Sequence, residues 1–323
     1  MSANASRTLA GRHPFRILAL SGGGFLGLYT ARVLAELEER AGEPLGRRFD
    51  LIAGTSVGGI LALALAYEVP MRAVLELFMT RGTAIFSPRA LPDGAVSRLL
   101  DLSRSVRGPK YDGAALRAAL LVHLGQRRLR AAKHPVVIPA VNVTTSTTKV
   151  FKTPHAPLSR GDEALLAIDV AMATSAAPTY FPSVAIGNAL YADGGLFAVA
   201  PDQVALHEAR HFMGVDPGTV RMLSVGTGAA GYQPTGGVKT DDGAVGWLAE
   251  GRLIMTLLSV QQQHVQAMME DLLGERYLRV DAPWPAQAGL GIDVATPTAV
   301  RTLLELAEWT ISALEPQRLE PFL

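Results

Sequence analysis

Short apolar runs alternate along the chain with longer segments in which apolar residues recur at helical spacing. Residues 15–20 (FRILAL) are typical of a buried strand, and residues 25–41 (FLGLYTARVLAELEERA) repeat like a helix. In residues 49–66 (FDLIAGTSVGGILALALA) a strand-like start changes at Ser56 to an Ala- and Leu-rich run that favours helix. Its uncharged part, 51–67, is shorter than the roughly 20 apolar residues of a membrane span. The pattern therefore predicts a strand, a sharp turn and a buried helix.

The remaining sequence continues this alternation. Strands are predicted at 135–143, 148–152, 184–192 and 220–228, and helices at 161–175, from Pro201 onward, at 244–273 and at 297–314. Strands that alternate with helices form a mostly parallel sheet flanked by helices, so the predicted fold class is α/β. We expect a flexible N-terminus at 1–14 and a single domain at 15–323, with a helical insertion at 70–133 and C-terminal helices within 244–314.

Composition narrows the possible functions. The 323 residues include 30 basic and 29 acidic ones, so no overall field favours a nucleic acid polymer as partner. The absence of cysteine removes disulfides, thiolate nucleophiles and Cys-based metal sites. Residues 1–15 contain no apolar core of a signal peptide, which leads us to expect a cytoplasmic protein.

The turn at Ser56 carries the first chemical candidate. Gly54-Thr55-Ser56-Val57-Gly58 fits G-x-S-x-G, in which small residues allow a sharp strand-to-helix turn that presents the serine hydroxyl. The helix that follows points its N-terminus, with its partial positive charge, at whatever the serine attacks. The structural alternative is close strand–helix packing without chemistry.

A glycine-rich loop and an aspartate turn complete the set. Gly22-Gly23-Gly24-Phe25-Leu26-Gly27 follows the first strand and matches the dinucleotide-binding pattern G-x-G-x-x-G. However, the next strand does not end in the acidic residue that would hold a ribose. The backbone N–H groups of the loop fit an oxyanion hole better. Asp193-Gly194-Gly195 is either an Asx-capped turn or a carboxylate that accepts the serine proton.

These three motifs, in this order, resemble those of the patatin-like phospholipases. ATSAAPTYFP (173–182) and LSVGTG (223–228) are also similar to that family. The resemblance implies a three-layer α/β sandwich and a lipid acyl hydrolase without cofactor or metal. It assigns Ser56 as nucleophile, Asp193 as general base and the N–H groups of Gly22, Gly23 and Gly24 as the oxyanion hole. The supporting motif glycines are then Gly27, Gly54, Gly58, Gly194 and Gly195.

The sequence departs from the family pattern at two places. Leu26 stands where family members often have Lys or Arg, and AVAP follows the aspartate loop where they often have NNP. The first departure removes a positive charge beside the glycine loop. Neither departure changes the Ser–Asp pair.

Histidine leaves two alternatives open. A Ser–His–acid triad would need one of the downstream histidines, His155, His207, His211 or His264. His207-Glu208-Ala209-Arg210-His211 also spells H-E-x-x-H, the helix of zinc hydrolases. The third histidine of the longer zinc pattern would fall at Pro217, which favours a surface helix instead.

VFKTPHAP (150–157) and QQQHVQAMMEDLLGERYLRVD (261–281) resemble a bacterial subgroup of the family. Its members are anti-phage effectors switched on by cyclic nucleotides. That resemblance implies membrane phospholipids as substrate at the inner face of the membrane, a cyclic dinucleotide activator and a homo-oligomer. Lys149, Lys152 and the basic run Arg127–Lys133 are candidate phosphate contacts because of their charge. The alternative is a non-catalytic module that binds lipid or nucleotide.

Overall fold

The computed structural model describes residues 13–88, 108–234, 243, 246–247, 251–285 and 289–323. Its described residues form an eight-stranded sheet in the order β5-β6-β3-β2-β1-β7-β8, with β4 paired to β3. The strands are β1 (Phe15–Leu20), β2 (Leu51–Gly54), β3 (Val136–Asn142), β4 (Thr147–Lys152), β5 (Val184–Ile186), β6 (Ala189–Asp193), β7 (Val220–Val225) and β8 (Tyr277–Val280).

Helices cover both faces of this sheet. They are α1 (Gly27–Ala41), α2 (Val57–Ala66), α3 (Met71–Ile85), α4 (Ala114–Leu124), α5 (Ala167–Thr174), α6 (Gly195–Ala198), α7 (Asp202–His207), α8 (Arg252–Leu273), α9 (Pro297–Ala313) and α10 (Pro316–Leu319). A 3-10 turn (Gly24–Leu26) precedes α1, and a π-helical turn (Glu208–Phe212) continues α7.

The sheet separates two apolar cores. In β1, Leu18 and Leu20 belong to a core shared with α1 and α2, whereas Ile17 and Ala19 belong to a core shared with α7 and α8. Alternate strand residues point to opposite faces, so a strand buried on both faces is apolar throughout. This explains the apolar run from Ile17 to Leu20 in β1. The predicted sheet flanked by helices, in three layers, is confirmed.

The sheet is parallel from β3 through β2, β1, β7 and β8, while β4, β5 and β6 run antiparallel to their neighbours. Both β2 and β6 pair with β3, in the registers Ala53↔Val137 and Ala140↔Asp193. Because β4 occupies the other edge of β3, β2 and β6 share one edge and run towards each other. Their C-terminal ends meet beside Pro139.

Several element boundaries differ from the prediction. The short strands predicted around 184–192 are the hairpin β5–β6, in which the chain turns at Gly187, φ 58°. The helix predicted at 161–175 is confined to α5; Gly161, at φ 113°, has a non-helical backbone. The predicted insertion at 70–133 contributes α3 and α4, and residues 89–107 of it lie outside the described residues. The same is true of most of the predicted N-terminal segment.

Candidate active site

Ser56 lies on the predicted elbow between β2 and α2. Its backbone is at φ 56°, ψ −125°, a conformation that costs a non-glycine residue about 1–3 kcal/mol. The turn leaves no space for a side chain at either glycine. A Cβ on Gly54 would lie 2.1 Å from the Gly58 carbonyl oxygen, and a Cβ on Gly58 would lie 2.2 Å from the Leu20 carbonyl oxygen. Both glycines of G-x-S-x-G are therefore required by backbone contact.

Asp193 is the last residue of β6 and reaches the elbow because β2 and β6 end head to head on β3. The Ser56 hydroxyl donates to Asp193 Oδ2 at 2.6 Å, and the Gly195 N–H donates to Oδ1 at 2.7 Å. Gly194 allows the turn to pass β3, since a Cβ there would lie 2.3 Å from the Pro139 carbonyl oxygen. The structure thus brings the two residues predicted as nucleophile and base into direct contact.

The electrostatics of Asp193 suit a base. Burial raises the pKa of its carboxyl to about 6, against the lowering effect of the hydrogen bonds from Ser56 and the Gly195 N–H. Ser56 and Asp193 are 9% and 6% exposed. A carboxylate with a pKa near 6 is a stronger proton acceptor than a solvated aspartate, yet it is still ionised at neutral pH.

The glycine-rich loop lies against the serine, but not all three expected donors are available. A Cβ on Gly22 would lie 3.1 Å from the Ser56 Cβ, so the loop and elbow touch. The Gly22 N–H donates to the Val199 carbonyl oxygen at 2.8 Å, which corrects its assignment as an oxyanion donor. Among the described residues, the N–H groups of Gly23 and Gly24 have no acceptor.

The structure gives both departures from the family pattern a packing or anchoring role beside this loop. Val199, in the AVAP segment, supplies the carbonyl that anchors Gly22. Leu26 is buried in the core and therefore belongs to packing rather than to the site. Gly27 lets α1 approach the elbow helix, since a Cβ there would lie 2.4 Å from a methyl carbon of Val57.

Thr174 is a site residue that the motifs did not reveal. Its hydroxyl accepts the Ser56 N–H at 2.9 Å and donates to the Pro139 carbonyl oxygen at 2.6 Å. Its own carbonyl accepts the Gly194 N–H at 3.3 Å. This fully buried side chain therefore ties the serine elbow to β3 beside the aspartate turn. The available signal was the place of Thr174 in ATSAAPTYFP, at the end of helix α5.

An apolar cleft opens over the pair. It encloses about 1160 Å³, its open mouth included, and Ser56, Asp193 and Gly22–Gly24 form its floor. Its walls are mainly aliphatic and aromatic side chains from α3, α4 and α8, among them Phe78, Leu120 and Ile254. Such a cleft accepts a hydrocarbon chain rather than a polar substrate. Among the described residues that line it, none is a histidine.

The structure removes the basis of the alternatives built on histidine. Glu208 of H-E-x-x-H points inward and accepts hydrogen bonds from His155 and Ser159. His207 and His211 are exposed and stack on each other with ring centroids 5.1 Å apart. No group of three potential ligands that could hold a metal occurs among the described residues. His264 lies exposed on α8.

The three lysines among the candidate phosphate contacts are paired with carboxylates. Lys149 donates to Asp162 at 2.7 Å, and Lys152 lies 2.5 Å from Glu208. Within the basic run, Lys133 is paired with Glu68 and Arg127 lies over the ring of Tyr67. Their positive charge alone is therefore no longer a reason to assign them to a ligand.

No helix among the described residues combines the length and the apolarity of a membrane span.

Comparison with known proteins shows the family to which the chain belongs. The family model for patatin-like phospholipases matches residues 18–206, which include the elbow and the aspartate turn. A Pseudomonas aeruginosa protein named cGAMP-activated phospholipase is 39% identical over 306 residues, covering 94% of this chain and 86% of that protein. Proteins of the same name from Vibrio cholerae and Escherichia coli are 34% and 32% identical. They cover 90% and 89% of this chain, and 89% and 86% of their own lengths.

Proposed function

The chain belongs to the patatin-like phospholipase family, and on this premise we propose that it hydrolyses acyl esters of membrane phospholipids with Ser56 and Asp193. The observation that carries the proposal is the 2.6 Å hydrogen bond from the Ser56 hydroxyl to Asp193 on the floor of an apolar cleft. The cleft accepts the acyl chain, and the pair acts on the ester at its end.

In the proposed reaction, Ser56 Oγ attacks the ester carbonyl carbon while its proton passes to Asp193 Oδ2. The N–H groups of Gly23 and Gly24 stabilise the resulting oxyanion. The leaving alcohol takes the proton from Asp193, which leaves an acyl-enzyme. Water then attacks the acyl carbon, gives its proton to Asp193, and the fatty acid departs as Ser56 recovers that proton.

The surface around the cleft supports lipid aggregates as substrate. Leu196 and Leu257 line the cleft and are also exposed at its rim. Phe197, beside Leu196 on α6, and Val260, one turn along α8 from Leu257, extend the exposed apolar surface. An exposed apolar rim around an acyl cleft is suited to contact with a lipid surface. We place that surface at the inner face of the membrane.

Substitution at this rim tests its role. Val260 is 59% exposed and lies outside the cleft, so Val260→Asp is expected to reduce hydrolysis of vesicles but not of a soluble short-chain ester. Val122 on α4, 67% exposed, provides the matched control, and Val122→Asp is expected to leave both rates unchanged. Equal loss on vesicles in the two variants would exclude a specific role for the rim.

The relatives support control by a nucleotide, because the three bacterial proteins reported above are named cGAMP-activated phospholipases. We propose that a cyclic dinucleotide also activates this chain and that the biological role is antiviral defence. Such a ligand must bind the active conformation more tightly than the inactive one.

The direct test is fatty-acid release from phospholipid vesicles, measured alone and with a panel of cyclic dinucleotides. We expect weak release alone and much faster release with one of them, and no release by folded Ser56→Ala or Asp193→Ala. Equal rates across the panel and buffer would exclude the activator but not the hydrolase. Ligand binding without turnover under every condition would identify a non-catalytic module instead.

A further inference from the structure

One side chain of α8 makes two hydrogen bonds to the segment that follows the proposed base, Asp193. The Gln261 amide nitrogen donates to the Gly195 carbonyl oxygen at 3.0 Å, and its oxygen accepts the Val199 N–H at 3.2 Å. Both contacts lie in the segment that begins at Asp193. Gln261 belongs to the QQQH stretch, which the motifs left without a role.

Through one further hydrogen bond, the first of these contacts leads to Asp193 and the second leads to the glycine-rich loop. The Gly195 N–H donates to Asp193 Oδ1 at 2.7 Å, so the position of that residue affects the base. The Val199 carbonyl accepts the Gly22 N–H at 2.8 Å, so its position affects the glycine-rich loop. Gln261 therefore contacts neither Ser56 nor Asp193 directly. It holds Gly195 and Val199, which bond to Asp193 and to the glycine-rich loop.

The next residue of α8 strengthens this attachment. Gln262 accepts a hydrogen bond from the buried guanidinium of Arg279 at 3.2 Å. Arg279 also donates to the hydroxyl of Ser21 at 2.9 Å, immediately before the glycine loop, and to Asp281 at 2.7 Å. Helix α8 is thus bonded to the segment after Asp193 through Gln261. Through Gln262 and Arg279 it is also connected to Ser21, the residue before the glycine loop.

We propose that Gln261 is a positioning residue that sets the geometry of Asp193 and of the oxyanion loop together. This inference rests on the proposed hydrolase function. Loss of the amide is expected to lower kcat about tenfold to a hundredfold, the effect of misplacing catalytic groups by about 1 Å, with little change in KM.

The acid limb of the pH profile provides a readout that a purely structural role would not move. Besides burial, the groups that set the pKa of Asp193 are the Ser56 hydroxyl and the Gly195 N–H, both of which lower it. If Gly195 shifts when Gln261 is replaced, Asp193 loses a hydrogen bond that favours its ionised form. The limb should then move to higher pH.

The experiment compares Gln261→Met with Gln263→Met, using a fluorophosphonate probe that labels an activated serine. Gln263 is the same residue type two positions along the helix, is exposed, and bonds locally to Ser259. Labelling rates are measured from pH 4.5 to 9 with the full chain, with and without the nucleotide that activates the wild type. Melting curves check that each variant is folded.

We expect slower labelling and a limb at higher pH for Gln261→Met, and wild-type behaviour for Gln263→Met. Gln261→Leu also removes both hydrogen bonds without adding charge, so it serves as a second variant if Gln261→Met does not fold, and the same shift is expected. Wild-type rate and limb in a folded Gln261 variant would overturn the positioning role while leaving the hydrolase intact. A wild-type protein that is never labelled would overturn the hydrolase, and this inference with it.

Discussion

Two buried carboxylates in this protein accept a hydrogen bond from a serine hydroxyl at the same distance. Ser56 Oγ lies 2.6 Å from Asp193, and Ser159 Oγ lies 2.6 Å from Glu208. Glu208 is also part of a sequence motif that is typical of zinc hydrolases. By pairing alone, either site would qualify as a nucleophile beside a base.

Their surroundings differ in charge. Burial disfavours ionisation of Glu208, but hydrogen bonds from His155, Lys152 and Ser159 outweigh burial, and its pKa is lowered. Asp193 accepts bonds from neutral donors, and burial raises its pKa to about 6. A carboxylate neutralised by a lysine is a weak proton acceptor, whereas one held without a counter-charge is a strong one. Glu208 therefore stabilises a structural ion pair, and Asp193 remains available to take a proton.

Their surroundings also differ in access. Ser56 sits on a strained elbow below an open apolar cleft, beside a glycine loop with two N–H groups that have no acceptor among the described residues. Neither Ser159 nor Glu208 is among the described residues that line that cleft. The reactivity of a serine–carboxylate pair therefore depends on the groups around it and not on the distance between the hydroxyl and carboxylate oxygens.

Alanine substitution of the two serines should separate the sites most strongly. Removing a nucleophile typically costs about 10³-fold or more in kcat, so Ser56→Ala is expected to lose measurable ester hydrolysis. Ser159→Ala removes one of several hydrogen bonds to Glu208 and should retain activity within about threefold. Hydrolysis of a soluble ester by the two folded variants measures this. Comparable activity losses in both would place the chemistry elsewhere.

Neutralising the two carboxylates should change stability in opposite directions. Glu208→Gln leaves the ammonium group of Lys152, 14% exposed, without its counter-charge, and breaking a buried pair typically costs about 3–5 kcal/mol. Asp193→Asn removes a buried carboxylate that has no cationic partner. Its pKa rises from 3.8 to about 6, so its charge costs up to about 3 kcal/mol at pH 8.

The sign of the Asp193 effect fixes its pH window. A raised pKa in the folded state means that the protonated form adds stability below about pH 4, and that this is lost as the pH rises through 6. Asp193→Asn should therefore be more stable than wild type at pH 8 and equal to it near pH 4. Urea unfolding at both pH values measures the difference. If Asp193→Asn were less stable than wild type at pH 8, this would contradict the claim that the Asp193 carboxylate has no counter-charge.

The pH dependence of turnover should follow the carboxylate of the proposed site. Because the base must be ionised, kcat/KM is expected to fall about tenfold for each unit below pH 6 and to level off above it. The Glu208 cluster would give no limb there, since its pKa lies below the usual range. A limb near pH 4, measured with a soluble ester, would assign the reaction to an ordinary solvated carboxyl group.

The smallest effect is expected at the zinc-like motif. His207→Ala combined with His211→Ala changes two exposed rings, so activity should stay within about twofold of wild type. Chelator should also leave the rate unchanged. Metal-dependent activity that is lost in the double variant would place the chemistry at the zinc-like motif and not at Ser56 and Asp193.

The sequence predicted the α/β fold because apolar periodicity is local, and it predicted the pair Ser56–Asp193 because its motifs resemble those of a known family. Apolar periodicity identifies strands and helices, and glycines beside the serine and aspartate mark turns that other residues could not close. It could not show that β2 and β6 meet end to end on β3, since strand order depends on long-range pairing.

Hydrogen bonds between distant segments were equally out of reach. The Gly22 N–H was expected to face substrate, but the Val199 carbonyl, far along the chain, accepts it. Thr174 and Gln261 act on the site through contacts with distant segments, which leave no repeat or spacing in the sequence. The zinc-hydrolase alternative arose because the H-E-x-x-H motif is local, while Lys152 and His155, the partners of Glu208, come from another segment.

Mapping the covalent adduct of a fluorophosphonate probe by mass spectrometry tests the central claim most directly. In the active wild-type protein, we expect one modified peptide, carrying the adduct on Ser56, with Ser159 unmodified. Asp193→Asn should lose the adduct, and Glu208→Gln, where folded, should retain it. An adduct on Ser159, or phospholipid hydrolysis that continues without any adduct on Ser56, would contradict the claim that the unneutralised pair performs the chemistry.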